Sequence, residues 1–177
     1  MVSQAINLTE IARFVTRAIA DKALGQNEIV AVTPAQVNSV YKCIGQFVSF
    51  LIKKAQDKDF VADIHSFGTV VRTSIVTEFI PAHALALETA ISKSMPSRID
   101  AAAQKQELAF GKISAVAQLP ESTVAAVLAQ TAKAIGHFTR NEKQTVVADF
   151  GLINNEVLVF DRQSCVFIDK SKLRDSM

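Results

Sequence analysis

Few side chains in this sequence combine the type and spacing that chemistry needs. His65 stands two residues after Asp63, a pair that metal binding or acid–base work could use. A histidine at a strand end more often makes a local hydrogen bond, and that is the expectation here. His83 and His137 have no carboxylate or cysteine at ligand spacing, and no Ser/His/Asp order, phosphate loop or Gly-rich dinucleotide signature occurs. Cys43 and Cys165 stand alone in apolar surroundings without metal-ligand spacing, which predicts buried free thiols in a reducing compartment. Phe14, Phe47, Phe50, Phe79, Phe110, Phe138, Phe150, Phe160 and Phe167 could serve as stacking platforms for single-stranded nucleic acid. They fall on apolar faces with no interleaved lysine or arginine, which predicts core packing instead. No catalytic residue, metal or cofactor is therefore expected, and the chain reads as something other than an enzyme.

Bulk composition narrows the partners. The 177 residues are 49% hydrophobic, enough for a substantial core in one domain or two small ones. Nineteen basic residues against seventeen acidic ones give a formal charge of +2. No long block of like charge occurs, so a nucleic-acid polyanion is not the expected main partner. Met1 to Asn7 lacks a charged region followed by an apolar one, which argues against secretion. No apolar run approaches the roughly 20 residues that span a bilayer.

The elements that must position these side chains come in two similar series. Asn7-Leu8-Thr9-Glu10 has the form of a capping box, and Leu8, Ile11, Ala12, Val15, Ala18 and Ile19 follow at helical spacing up to Gly25. Thr33-Pro34-Ala35-Gln36 starts a longer helix whose apolar face carries Val37, Val40, Tyr41, Ile44, Phe47, Val48, Leu51 and Ile52. Gly45 in its middle predicts a close crossing by another helix. An apolar run, Val61 to Ile64, leads into Phe67-Gly68, and Thr69-Val70-Val71 and Ile75 to Ile80 read as strands around Arg72-Thr73-Ser74. Pro81-Ala82 opens a third helix carrying Leu85, Leu87, Ala90 and Ile91, and Met95-Pro96-Ser97 makes a short break. The second series begins with Ser97 as cap to Asp100 and a helix running through Ala102, Leu108, Phe110, Ile113, Val116 and Ala117. After Leu119-Pro120-Glu121 a further helix carries Val124, Val127, Leu128, Thr131, Ile135 and Phe138. Then come Thr145 to Gly151, ending again in Phe150-Gly151, and strands Val157–Phe160 and Cys165–Ile168 around Asp161 to Ser164. Val37 and Val40 align with Val124 and Val127, and Val48 with Ile135, at one offset. Such duplication has to be settled before a fold is assigned.

Helix, turn, longer helix and a strand ending in Phe-Gly resemble the bacterial HU and integration-host-factor fold, on Phe67, Gly68, Phe150 and Gly151. The duplication with compact strand pairs is closer to the tandem HU-like domains of the eukaryotic coiled-coil domain-containing protein eighty-one family, associated with centrosomes and cilia. The resemblance covers nearly the whole chain and implies an α+β fold. It implies two HU-like repeats, 1–95 with an extra C-terminal helix and 96–177, each with two helices and a three-stranded antiparallel meander. A half of this size has a marginal core alone, so the repeats are expected to pack as a single-chain pseudo-dimer. HU-type proteins hold DNA with long basic arms that wedge into the minor groove. Here the corresponding spans are Arg72-Thr73-Ser74 and Asp161-Arg162-Gln163-Ser164, so the DNA-contacting residues do not carry over.

The resemblance thus implies a non-enzymatic structural protein of the cytoplasm and cytoskeleton, docking on tubulin or other proteins of axonemal or centriolar microtubules in a cilium, flagellum or centriole. Its alternative is an architectural DNA-binding protein with lost arms, and an enzyme comes third. DNA binding is expected to be weak or absent. The candidate interaction surface is the last sheet and the tail: Val157, Val159 and Phe167 on strands apolar on both faces, with Lys170, Lys172 and Arg174 behind them. The simpler reading of Asp169 to Met177 is a solvated tail.

Overall fold

A computed structural model describes residues 5–23, 29–56, 58–73, 76–82, 85 and 104–176. Both capping boxes read from the sequence close as hydrogen bonds. The Asn7 side chain accepts from the Glu10 amide while Glu10 accepts from the Asn7 amide, each at 3.0 Å. Asn7 closes β1 (Ile6–Asn7), and α1 (Leu8–Ala23) begins behind it. Thr33 and Gln36 exchange the same pair of bonds at the start of the 22-residue α2 (Pro34–Ala55). The β-branched run that follows forms β2 (Phe60–Ile64), β3 (Gly68–Arg72) and β4 (Thr77–Pro81), paired antiparallel in sequence order.

The second series departs from expectation at its start. The helix expected from Ser97 through Ala117 is instead a strand, β5 (Gln104–Glu107), followed by a short helix α3 (Phe110–Ala117). Gln104 to Glu107 pairs parallel with Phe60 to Asp63, and the Leu108 amide continues the ladder to the Asp63 carbonyl at 2.9 Å. The free edge of β2 therefore overrides the helix preference of these polar residues. Next come α4 (Glu121–Gly136), a π turn over His137–Asn141, and β6 (Val146–Ala148), β7 (Glu156–Phe160) and β8 (Cys165–Asp169). The charged tail forms a helix, α5 (Lys170–Ser176), begun by Asp169, whose carboxylate accepts from the Ser171 amide and hydroxyl. The third helix expected after Pro81, apart from Leu85, the break at Met95-Pro96-Ser97, the Ser97 cap and Gly25 lie outside the described residues.

The fold is α+β, with two four-stranded sheets ordered β4-β3-β2-β5 and β1-β6-β7-β8. Each expected three-stranded meander gains a fourth, parallel strand, and that strand comes from the other half of the chain. β1 adds to β6 and β5 adds to β2, so each half lends the other the strand before its first helix. The helices are shared too: α1 packs on α2 and α4, and α3 packs on α2 and α4.

The two Phe-Gly segments lie at the centre. Phe67 and Phe79 from one half meet Phe150 and Phe160 from the other, with centroid separations of 5.2 to 6.2 Å among the contacting pairs. Gly45 is crossed by the Phe150 backbone, not by a helix as expected: a Cβ there would stand 1.8 Å from the Phe150 carbonyl oxygen. One turn to either side of Gly45 on α2 the contact repeats in kind. The Tyr41 ring meets Phe150 edge-on at 6.2 Å, and Ser49 Oγ accepts the Ile153 amide at 3.0 Å. Tyr41, Gly45 and Ser49 thus form one rail, four residues apart, that seats the second Phe-Gly segment on the first long helix.

Candidate docking surface

The histidine–aspartate pair separates into two structural tasks. Asp63 Oδ1 accepts the backbone amide of His65 at 2.9 Å, holding that residue at φ 50°. The imidazole turns away to the second half, with Nε2 2.5 Å from the Leu108 carbonyl oxygen and Nδ1 3.3 Å from Glu107 Oε1. It also rests on the Phe110 ring at 4.1 Å. Because the carbonyl can only accept, Nε2 carries a proton. His65 therefore pins β5 to the first sheet. His137 stacks on Phe14 at 5.1 Å and reaches Glu142 at 3.7 Å, while His83 lies outside the described residues. Among the described residues no three His, Cys, Asp or Glu side chains are grouped to hold a metal ion.

Both cysteines are free thiols, but only Cys165 is buried. Cys43 is half-exposed on α2, and partial burial pushes its thiol pKa up against the opposing charge of Lys42. Tyr41 donates to Thr131 Oγ1 at 2.7 Å, since the Thr131 hydroxyl already donates to the Val127 carbonyl at 2.7 Å. Burial drives the Tyr41 pKa well above its ordinary value, opposed by that hydrogen bond. This buried pair joins the two long helices.

The last sheet is only partly available for docking. Val157 is 2% exposed and buried, so it is not on a contact surface; Val159 and Phe167 are half-buried, and Phe167 packs on the core. Val166 and Lys172 are exposed. Lys170 is bound within the chain, its Nζ 2.8 Å from Asp149 Oδ2 and its amide 2.8 Å from the Asn155 carbonyl. Burial opposes ionisation of Asp149, but Lys170 and the Gly151 amide outweigh it and hold the carboxyl below its ordinary range. The Arg174 side chain lies outside the described residues.

Phe50 and Val116, expected on apolar faces, are 61% and 64% exposed. The signal was present for Phe50, which lies off the stripe Val37 to Ile52 that forms the apolar face of α2. Both hairpin tips are closed rather than extended. The Thr73 amide donates to the Val76 carbonyl at 3.0 Å, and Asp161 Oδ1 accepts the Gln163 and Ser164 amides at 2.7 Å. Among the described residues no helix is long and apolar enough to cross a membrane. The chain matches no protein-family model and no curated protein.

Proposed function

We propose that this chain is a non-enzymatic docking protein, a single-chain pseudo-dimer of HU-like repeats, 1–95 and 96–177, that serves as a structural component of axonemal or centriolar microtubules. The observation that carries the reading is the reciprocal strand exchange around two Phe-Gly segments. It supports an intertwined tandem of one ancestral unit, as the resemblance to HU-like proteins implies. The cytoskeletal half of the proposal rests on the resemblance to the centrosomal and ciliary family alone. Closed hairpins favour it over the DNA-architectural reading, because each tip offers one arginine, and Arg72 donates to Thr77 Oγ1 at 3.0 Å. A duplex binder needs several phosphates neutralised together. The partner in this reading is tubulin or a tubulin-associated protein, and the place is the cytoskeleton of a cilium or centriole.

The test is co-sedimentation with microtubules and axonemes, run beside a duplex-DNA titration at two salt concentrations. Binding to microtubules with only weak, sequence-independent DNA binding is the expected result. A submicromolar DNA affinity at physiological salt with a steep salt slope reverses the reading. Deleting Lys170 to Met177 assigns the tail: undiminished incorporation at unchanged stability removes α5 from the contact.

A further inference from the structure

The two halves differ most where their first helices end. α1 has 16 residues and α3 has eight, about 24 Å against about 12 Å of helix. Each packs on the long helix of the other half, α1 on α4 and α3 on α2. Matching their buried positions, Ile11 with Ile113 and Val15 with Ala117, sets Phe14 against Val116. The offset that aligns Val37 with Val124 likewise sets Phe50 and Leu51 against His137 and Phe138. On the α1 side, Phe14 covers that pair at 5.1 and 5.9 Å. On the α3 side the smaller Val116 leaves Phe50 open, and the helix stops at Gln118, in a left-handed conformation with φ 56°. What remains is a groove of about 470 Å³ between α2, α3 and the end of β5.

We propose that this groove receives an amphipathic helix from a partner protein, with an aromatic or leucine side chain set between Phe50 and Val116 and acidic residues along its flanks. The shape of the occupant follows from the other half, where Phe14, an aromatic side chain on a helix, covers the matching pair. Its charge follows from the rim. Lys112 lines the groove and Lys54 lies over the Phe50 ring with Nζ at 5.9 Å, and neither has a carboxylate partner among the described residues. Glu107 stands on the opposite wall with Oε1 3.3 Å from His65 Nδ1, so two ammonium groups are set against one carboxylate at the rim. A helix laid in an apolar groove is anchored by a few stripe residues, and flanking charges select the partner. This inference rests on reading the chain as a docking protein and is independent of whether the assembly is a microtubule.

The probes are two labelled synthetic helical peptides of roughly 18 residues with the same Leu/Phe stripe, one flanked by glutamates and the other by lysines. Each is titrated with the full chain and followed by fluorescence anisotropy. The acidic peptide is expected to bind at least about tenfold tighter than the basic one, and Phe50→Asp to weaken it by about tenfold or more. Lys112→Glu should narrow or invert the preference. Both side chains are exposed, so unchanged thermal melts are expected to show that the variants fold. Equal binding of the two peptides, or undiminished binding by Phe50→Asp, overturns the proposal. So does self-association that Phe50→Asp abolishes, which assigns the groove to a second copy, or a Lys112 cross-link into residues 86–103 that the peptide does not displace. Microtubule co-sedimentation reads the preceding proposal and the peptide titration reads this one, so the two fail separately.

Discussion

Three glycines hold their places for different physical reasons. Gly45 is required by contact, because a methyl group there would drive into a backbone oxygen that no side-chain rotation can move. Alanine would gain about 1 kcal/mol of helix propensity at that position. Overpacking of this kind costs up to about 3 kcal/mol, so Gly45→Ala is expected to lose about 2 kcal/mol in urea denaturation. At Gly68 an added Cβ would drive into the Phe79 ring and the Ile80 carbonyl oxygen. Gly151 has open space around it but sits at φ 73°, so Gly151→Ala costs the left-handed penalty alone, about 1 kcal/mol. Tyr41 makes a prediction in pH. Burial favours its neutral form, so the folded chain keeps the phenol proton to higher pH than the unfolded chain, which releases it near pH 10. Above that pH the unfolded state binds fewer protons and stability must fall, by up to about 1.4 kcal/mol per pH unit from this group. Below it the contribution is complete. Denaturant melts from pH 8 to 11 should show this fall in the native chain and a shallower one in Tyr41→Phe.

At the scale of elements, what could be read from the sequence followed from local signals, and what could not depended on distant pairing. Asn7 and Glu10, or Thr33 and Gln36, meet within one turn, so their helices were legible. The duplicated Phe-Gly was legible as a repeat, but not that Gly45 exists to let Phe150 pass, since those residues are distant in sequence. Gln104 to Glu107 is polar and helix-prone, and only the free edge of β2 makes it a strand. The helical tail carries a local cap in Asp169, but its run of mixed charge has no apolar periodicity to mark a helix. In the candidate surface, strand alternation alone did not show that Val157 is buried while Val166 faces outward. Strand exchange itself makes a testable demand. Ile6 is buried, and its amide donates to the Thr145 carbonyl at 2.9 Å. Ile6→Ala is expected to cost about 2 kcal/mol or more. In hydrogen exchange the loss of protection should appear at Val146 to Ala148, far along the chain. Protection lost only near residue 6 would mean that the strand is a passive addition.

For the whole molecule, the exchange of strands and helices makes each half a poor fold alone. A fragment ending at Met95 keeps α1, α2 and the first meander but loses β5 from the edge of β2, and α1 loses α4. It also uncovers Phe67 and Phe79, which lose Phe150 and Phe160, and leaves the Tyr41 hydroxyl without Thr131. Each large apolar side chain returned to water costs about 1.5 to 3 kcal/mol. Whole domains have only about 5 to 15 kcal/mol of stability to lose. Three or four such exposures are therefore enough to unfold the fragment. It is expected to show no cooperative thermal transition as a monomer and to regain structure only when mixed with the fragment from Pro96 onward. Because Phe67 and Phe150 are in contact, that recovery should fail when Phe150→Ala is placed in the partner fragment. A fragment ending at Met95 that melts cooperatively as a monomer would mean that the two halves are separate domains in contact, and that the exchanged strands merely decorate them.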